Sequence, residues 1–100
     1  MAIPTLTPPR RFSEKHSAFP LGGVHHKIFH GKENGLEKTQ TVVRDGRKVL
    51  INEERWFLLI EIKNTGEYEH VMKLIDEAAA KGIFLPIEDA VAQVRGGSSL

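Results

Sequence analysis

The chain has 100 residues, of which 40% are hydrophobic and 27% charged, so its size and composition fit a single small globular domain with a modest core. It contains no cysteine, which excludes disulfides, thiolate metal sites and cysteine nucleophiles. We find neither the apolar core of a signal peptide nor an apolar span of about 20 residues, so we expect a cytoplasmic protein with no membrane partner.

The net charge of +1 conceals a difference between the two halves of the chain. Residues 1–55 carry ten basic against six acidic residues, a net charge of +4, and four of the five histidines. Residues 56–100 carry four basic against seven acidic residues, a net charge of −3. This asymmetry indicates a nucleic-acid face and a separate face with another role, although a split of this size also arises by chance.

The first 20 residues predict an arm, a short helix and a turn. Residues 1–6 are expected to be a loose arm. Thr7 is a good N-cap with Pro8 at the first helical position, so a helix is predicted to about His16, with Phe12 buried. Residues 17–20 predict a turn, because a residue that precedes proline is disfavoured in the α region.

A second helix is predicted from Leu21 or Gly22 to Asn34, followed by a stop at Gly35. Its apolar residues recur at helical spacing and predict a buried stripe, which consists of Leu21, Val24, Ile28 and Phe29. The pair Gly22-Gly23 either weakens the first turn or lets the backbone approach a phosphate closely.

Residues 41–51 predict a β-hairpin, because Asp45-Gly46 lies between β-branched residues and is typical of a type I′ turn. In that register Arg44 lies opposite Arg47, and like charges across a strand pair are destabilising. A hairpin tip that keeps these charges is better explained if it contacts a polyanion, which favours nucleic acid.

The second half of the chain predicts three more helices. Asn52 is a good N-cap for a helix that buries Trp56, Leu59 and Ile60, although residues 56–62 could also form a buried strand. Further helices are predicted over residues 67–81, ending at Gly82, and from about residue 86 to 94. Residues 95–100 are expected to be a disordered tail.

The order of these elements predicts a mainly α fold with a small β-hairpin. We expect a winged helix-turn-helix DNA-binding domain over residues 1–62 and a helical extension over residues 63–94, which packs on the domain or mediates protein contacts. Such a domain inserts its second helix into the major groove and sets its hairpin wing against the adjacent backbone or minor groove.

Several segments carry a resemblance to a known family. The most specific are NGLEK at residues 34–38 and VVRDGRKVLINEERWF at residues 42–57, accompanied by RFSEKH at 11–16 and LGGV at 21–24. Over residues 5–60 the chain resembles the small excisionase-like DNA-binding proteins, or recombination directionality factors, of phages and integrative elements. These have a MerR-like winged-helix fold, and their wing pattern is shared by many winged-helix regulators.

The resemblance implies sequence-specific binding of duplex DNA by an architectural factor that assists a site-specific recombinase (an integrase). It also implies self-association of several copies on DNA, and thus association with the nucleoid. The positions that match the recognition helix are Gly22, Gly23, His25, His26, Lys27 and His30. The positions that match the wing are Arg44, Arg47 and Lys48.

Two alternatives remain open for the function. Some relatives are transcriptional regulators of the same fold, and residues 63–94, which extend beyond a usual excisionase, could make the protein an interaction module. Neither a nucleophile motif nor a phosphate-binding loop is present, so no enzymatic activity and no cofactor are expected. His26 and His30 are spaced as metal ligands but lack an acidic third ligand nearby in sequence. DNA contact or a solvated face is therefore favoured over a metal site.

Overall fold

The computed structural model describes residues 5–96, which form six helices and a three-stranded antiparallel sheet. The predicted mainly helical fold with a hairpin is thus confirmed, and the hairpin gains a third strand. Two compact units are present, unit 1 (Met1–Trp56) and unit 2 (Phe57–Leu100). The elements in chain order are β1 Leu6–Thr7, α1 Pro9–Lys15, α2 Leu21–Phe29, α3 Gly31–Asn34, β2 Val42–Asp45, β3 Lys48–Asn52, α4 Glu53–Thr65, α5 Tyr68–Ala80 and α6 Ile87–Val94.

The third strand, β1, corrects the prediction of a loose arm for the residues next to α1. Leu6 and Thr7 pair antiparallel with β3, whereas residues 1–4 lie outside the described part of the chain. Thr7 therefore does not cap α1: its hydroxyl donates a hydrogen bond to Glu53, and Pro8 occupies the cap position. Phe12 is buried as predicted.

The predicted second helix is two helices, because the chain leaves helical geometry at His30 (φ −95°, ψ 26°). In a continuous helix the Lys27 carbonyl would accept the N–H four residues later. Here the Asn34 side chain donates to it instead, at 2.9 Å. Gly35, in the left-handed conformation at φ 90°, ends α3 as predicted. Phe29 is not part of the buried stripe: 83% of its surface is exposed.

The hairpin forms where it was predicted, but its turn lies one residue later, which shifts the cross-strand partner of each residue by two positions. Asp45 pairs with Lys48, so the loop is Gly46-Arg47, and Arg44 lies opposite Val49. Gly46 has φ 62° and Arg47 is not among the described residues with positive φ, a pattern that matches a type II′ turn and not type I′. This register places opposite charges across the strands, which is favourable, and the predicted clash of two arginines is wrong.

The core of unit 1 is built around aromatic rings. Phe12 lies 4.9 Å from Trp56 and 5.8 Å from Phe19, measured between ring centroids, and Phe19 meets Trp56 edge-on at 5.8 Å. Tilted and edge-on pairs at these distances are the favoured aromatic geometries. Aliphatic side chains complete the core, namely Val24, Ile28, Leu36, Val42 and Ile51.

A single helix, α4, covers residues 56–62 and confirms the helical interpretation. The Asn52 side chain accepts a hydrogen bond from the Arg55 N–H at 3.1 Å, which is the predicted N-cap. Trp56 and Leu59 are buried as expected, while Ile60 is half-buried. The helix ends at Thr65, before Gly66.

Unit 2 packs α5 against α6 through aliphatic side chains, with Val71, Ile75, Ile87 and Val91 buried. The predicted disordered tail is wrong for Arg95, whose guanidinium binds Glu67 and Glu61; residues 97–100 lie outside the described range. Among residues 5–96, no helix combines the length and the apolar composition needed to cross a bilayer.

Candidate nucleic-acid interface

The exposed side of α2 carries most of the residues predicted to read DNA. The helix buries Val24 and Ile28 in the core of unit 1. Five of the six candidates are exposed and His30 is half-buried; the exposed ones are Gly22, Gly23, His25, His26 and Lys27. A Cβ atom built on either glycine would meet no atom within 4 Å, so packing does not require glycine there and the backbone of this turn is open to close approach.

Three aromatic side chains cluster at the C-terminal end of α2. The His26 and His30 ring centroids are 4.5 Å apart, and Phe29 meets His30 edge-on at 5.1 Å. His30 Nδ1 also lies 3.0 Å from a Glu33 carboxylate oxygen. Within the described chain, no group of three or more His, Asp or Glu side chains is arranged to hold a metal ion. Glu33, which lies three residues after His30, is an acid that sequence reasoning overlooked.

Lys27 connects this surface to the core of unit 1. Its Nζ lies 5.4 Å from the centroid of the Trp56 ring and 5.8 Å from that of Phe19, within the range of cation–π attraction. Trp56, the chain's single tryptophan, is only 2% exposed. The ammonium group of Lys27 thus lies close to the aromatic core while the residue remains exposed to solvent. Because Lys27 Nζ lies over the Trp56 ring, tryptophan fluorescence should respond to a change in the environment of Lys27.

The hairpin tip, defined as residues 44–48, is the second exposed basic surface of unit 1. Arg44, Arg47 and Lys48 are all exposed. Arg44 has a long ion-pair contact of 3.7 Å with Glu37, while no described carboxylate lies within ion-pair distance of Arg47 or Lys48. These accessible cations, and not repulsion between two arginines, are the feature of the hairpin tip that would suit a polyanionic partner.

The connector that leads into the hairpin is fixed by buried hydroxyl groups. Thr39 donates a hydrogen bond to the Gly35 carbonyl at 2.7 Å, and the hydroxyls of Thr39 and Thr41 are 2.7 Å apart. The Arg55 guanidinium donates to the Thr39 carbonyl at 3.2 Å. Gln40 adopts φ 56°, a left-handed conformation that is costly for a residue with a side chain. These bonds hold β2 in a defined position relative to α3.

The role of Glu53, which lies in the first turn of α4, was not identified from the sequence. Its buried carboxylate accepts hydrogen bonds from the Thr7 hydroxyl, from Lys15 Nζ at 2.8 Å and from His16 Nε2 at 3.1 Å. Burial acts most strongly and raises the pKa, but the bonds from Lys15, Thr7 and His16 together lower it, and the pKa of Glu53 falls to about 2. This network, the Glu53 clamp, joins β1 and the end of α1 to the start of α4.

The contacts of Glu53 are long-range in sequence, so a helical pattern could not reveal them. One local signal was available: an acid next to the Asn52 cap is placed at the start of a helix, where its charge is favoured. That signal identifies Glu53 as a favourable acid at the start of α4, but it does not predict the hydrogen bonds from Thr7, Lys15 and His16.

The predicted charge asymmetry coincides with the structural division. Because Trp56 is uncharged, unit 1 carries ten basic and six acidic residues, a net charge of +4, and unit 2 carries the remaining −3. All nine predicted DNA-binding residues lie in unit 1. A polyanion would therefore be attracted to unit 1 and repelled by unit 2.

No protein-family model, curated protein or solved structure matches this chain. The resemblance to excisionase-like proteins accordingly stays a prediction based on residues 5–60.

Proposed function

We propose that unit 1 binds duplex DNA as a winged helix-turn-helix domain, with α2 in the major groove and the hairpin tip on the adjacent backbone. The order of α1, α2, hairpin and α4 is the order of such a domain. The observation that carries the proposal is that α2 and the hairpin tip, two exposed basic surfaces, belong to one compact unit of net charge +4. Phosphate neutralisation by such side chains is the main source of DNA affinity.

The two surfaces would have different roles in the complex. Arg47 and Lys48 would contact phosphates, which fixes the position of the protein without reading sequence. His25, His26 and Lys27 would face base edges or phosphates, and the open backbone at Gly22-Gly23 would allow the start of α2 to approach the DNA closely. His30, at the end of the helix, would contribute through its tilted packing against His26.

A salt titration with Arg47→Ala tests this proposal. Each phosphate contact contributes about −0.9 to the slope of log K against log salt concentration, so Arg47→Ala should flatten the slope by about one and weaken binding to all duplexes similarly. Lys73→Ala removes an exposed cation from unit 2 and is the matched control, with no change expected. A slope that is equal in the wild type and Arg47→Ala would mean that the hairpin tip does not touch DNA.

Within DNA binding, we propose that the protein is an excisionase-like architectural factor that assists a site-specific recombinase and binds DNA in several copies. The support is the resemblance of residues 5–60, which many winged-helix transcriptional regulators share in part. An excision assay with the cognate recombinase separates these roles. A directionality factor should raise the yield of excision, whereas a transcriptional regulator should leave it unchanged and alter transcription from a promoter carrying its site.

A protein-interaction module acting through residues 63–94 is the second candidate. Between α5 and α6, Ile83 and Phe84 are 55% and 45% exposed, more than expected for large apolar side chains that serve only the core. Absence of DNA binding even at low salt, or DNA binding that does not depend on salt concentration, would favour this candidate over the first.

A further inference from the structure

The most exposed large apolar side chain in the described chain lies within the proposed DNA-binding surface. Phe29, the last residue of α2, has 83% of its surface exposed, compared with 38 to 55% for the other exposed large apolar residues. The helical repeat places Phe29 on the same side of α2 as His25 and His26, which lie four and three residues before it. Its position is therefore with the candidate contact residues and away from the core.

The surroundings of Phe29 limit the kind of partner that could cover it. Residues 21–33 contain two lysines and three histidines against one acid, Glu33, whose carboxylate lies 3.0 Å from His30 Nδ1. The Phe29 ring is set edge-on to His30, which in turn packs on His26. An apolar ring within a rim of cations and hydrogen-bond donors complements a polyanion that presents an apolar group. In the major groove of DNA that apolar group is the 5-methyl of thymine.

We infer, relying on the proposed function, that Phe29 contacts a thymine methyl group in the major groove and gives binding a preference for A·T pairs at that position. The contact would be specific to bases, in contrast to the sequence-independent phosphate contacts of Arg47 and Lys48. Phe29 is thus a specificity-determining residue of α2, and its exposure in the free protein leaves it available for DNA.

Two duplexes that differ only in this methyl group test the inference, alternating poly(dA-dT) and poly(dA-dU). Burying one methyl group corresponds to about a fourfold change in affinity. The wild type should therefore bind the thymine duplex about fourfold more tightly, measured by fluorescence anisotropy at fixed salt. Phe29→Ala should bind both duplexes equally, and Phe29→Leu should keep part of the preference.

Phe84→Ala is the matched control, because it removes an exposed phenylalanine from unit 2 and should keep the wild-type preference. Phe29 is largely outside the core, so the thermal unfolding of Phe29→Ala, followed by circular dichroism, should match that of the wild type.

Equal affinity of the wild type for the two duplexes, or a preference that survives in Phe29→Ala, would overturn the inference. If binding to both duplexes is still salt-dependent, DNA binding itself stands. Failure of the wild type to bind either duplex would overturn the proposed function and the inference together. If Phe29→Ala lost more affinity for single-stranded oligo(dT) than for the duplexes, Phe29 would stack on unpaired bases instead, and the inference would be wrong.

Discussion

Both units contain a carboxylate whose pKa falls to about 2, but the two carboxylates are held in different ways. In unit 1, Glu53 is buried, and hydrogen bonds from Lys15, Thr7 and His16 outweigh the opposing effect of burial on its pKa. In unit 2, Glu67 is half-buried beside the exposed Arg95, and hydrogen bonds from Arg95 and then from Thr65 lower its pKa. Similar pKa values therefore do not imply similar contributions to stability, because water and salt screen this more exposed pair more strongly.

The two units also differ in the side chains that form their cores. The core of unit 1 centres on three aromatic rings, whereas that of unit 2 is aliphatic. Aromatic side chains bury more surface each, so unit 1 concentrates its apolar contacts in fewer residues. Loss of one ring should accordingly matter more than loss of one methyl group in unit 2.

The largest effect is expected for Phe12→Ala, which removes the ring between Trp56, Phe19 and His16. The free energy of unfolding, from urea titration followed by Trp56 fluorescence, should fall by about 3–5 kcal/mol. Ile75→Val, a loss of one buried methylene in unit 2, should cost about 0.5–1.5 kcal/mol. Equal costs for the two variants would contradict the proposed difference between the cores.

A smaller loss is expected for Glu53→Gln, which neutralises the Glu53 clamp while nearly keeping its shape. Lys15, Thr7 and His16 would lose their charged acceptor, so the free energy of unfolding at pH 7 should fall by about 1–3 kcal/mol. Glu14→Gln, on the exposed side of α1, is the control and should change stability little. An unchanged urea midpoint in Glu53→Gln would show that the clamp does not stabilise unit 1.

The same variant should alter the pH dependence of stability. Glu53 has a pKa of about 2 in the folded protein against an ordinary 4.5, so at intermediate pH the unfolded chain binds the proton more readily. The stabilisation is therefore fully present above about pH 4.5 and is lost as the pH falls towards 2. The difference in stability between the wild type and Glu53→Gln should shrink over that acid range.

Local patterns predicted the elements of this fold well and the long-range contacts poorly. The Asn52 cap identified α4, and glycines marked the ends of α3 and α5, because each signal acts within one helical turn. The strand at Leu6 could not be predicted from two residues whose partners lie about 45 positions away. The break at His30 depends on the Asn34 side chain, which a helical pattern places inside the helix.

The candidate site shows the same limit in its details. The basic residues of α2 and of the hairpin tip are exposed, as a solvent-facing pattern predicts. The predicted pairing of Arg44 with Arg47 was wrong, because a shift of the turn by one residue changes every cross-strand pair in the hairpin. The exposure of Phe29 was not predicted, because its helical spacing assigned it to the buried stripe. Phe29 is the last residue of α2, and its side chain is exposed.

The smallest effect is expected for Glu67→Gln in unit 2, which weakens the bond to Arg95 but leaves an amide that can still accept a hydrogen bond. Because Arg95 is exposed and Glu67 is less buried than Glu53, the loss of stability should be smaller than in Glu53→Gln. It should also shrink further in 0.5 M NaCl, since salt screens exposed charges, whereas the Glu53→Gln difference should persist. Urea midpoints of the two variants at low and high salt measure both effects. If salt reduced the two differences equally, burial would not be what separates the carboxylates, and the contrast between the units would be limited to their cores and their net charges.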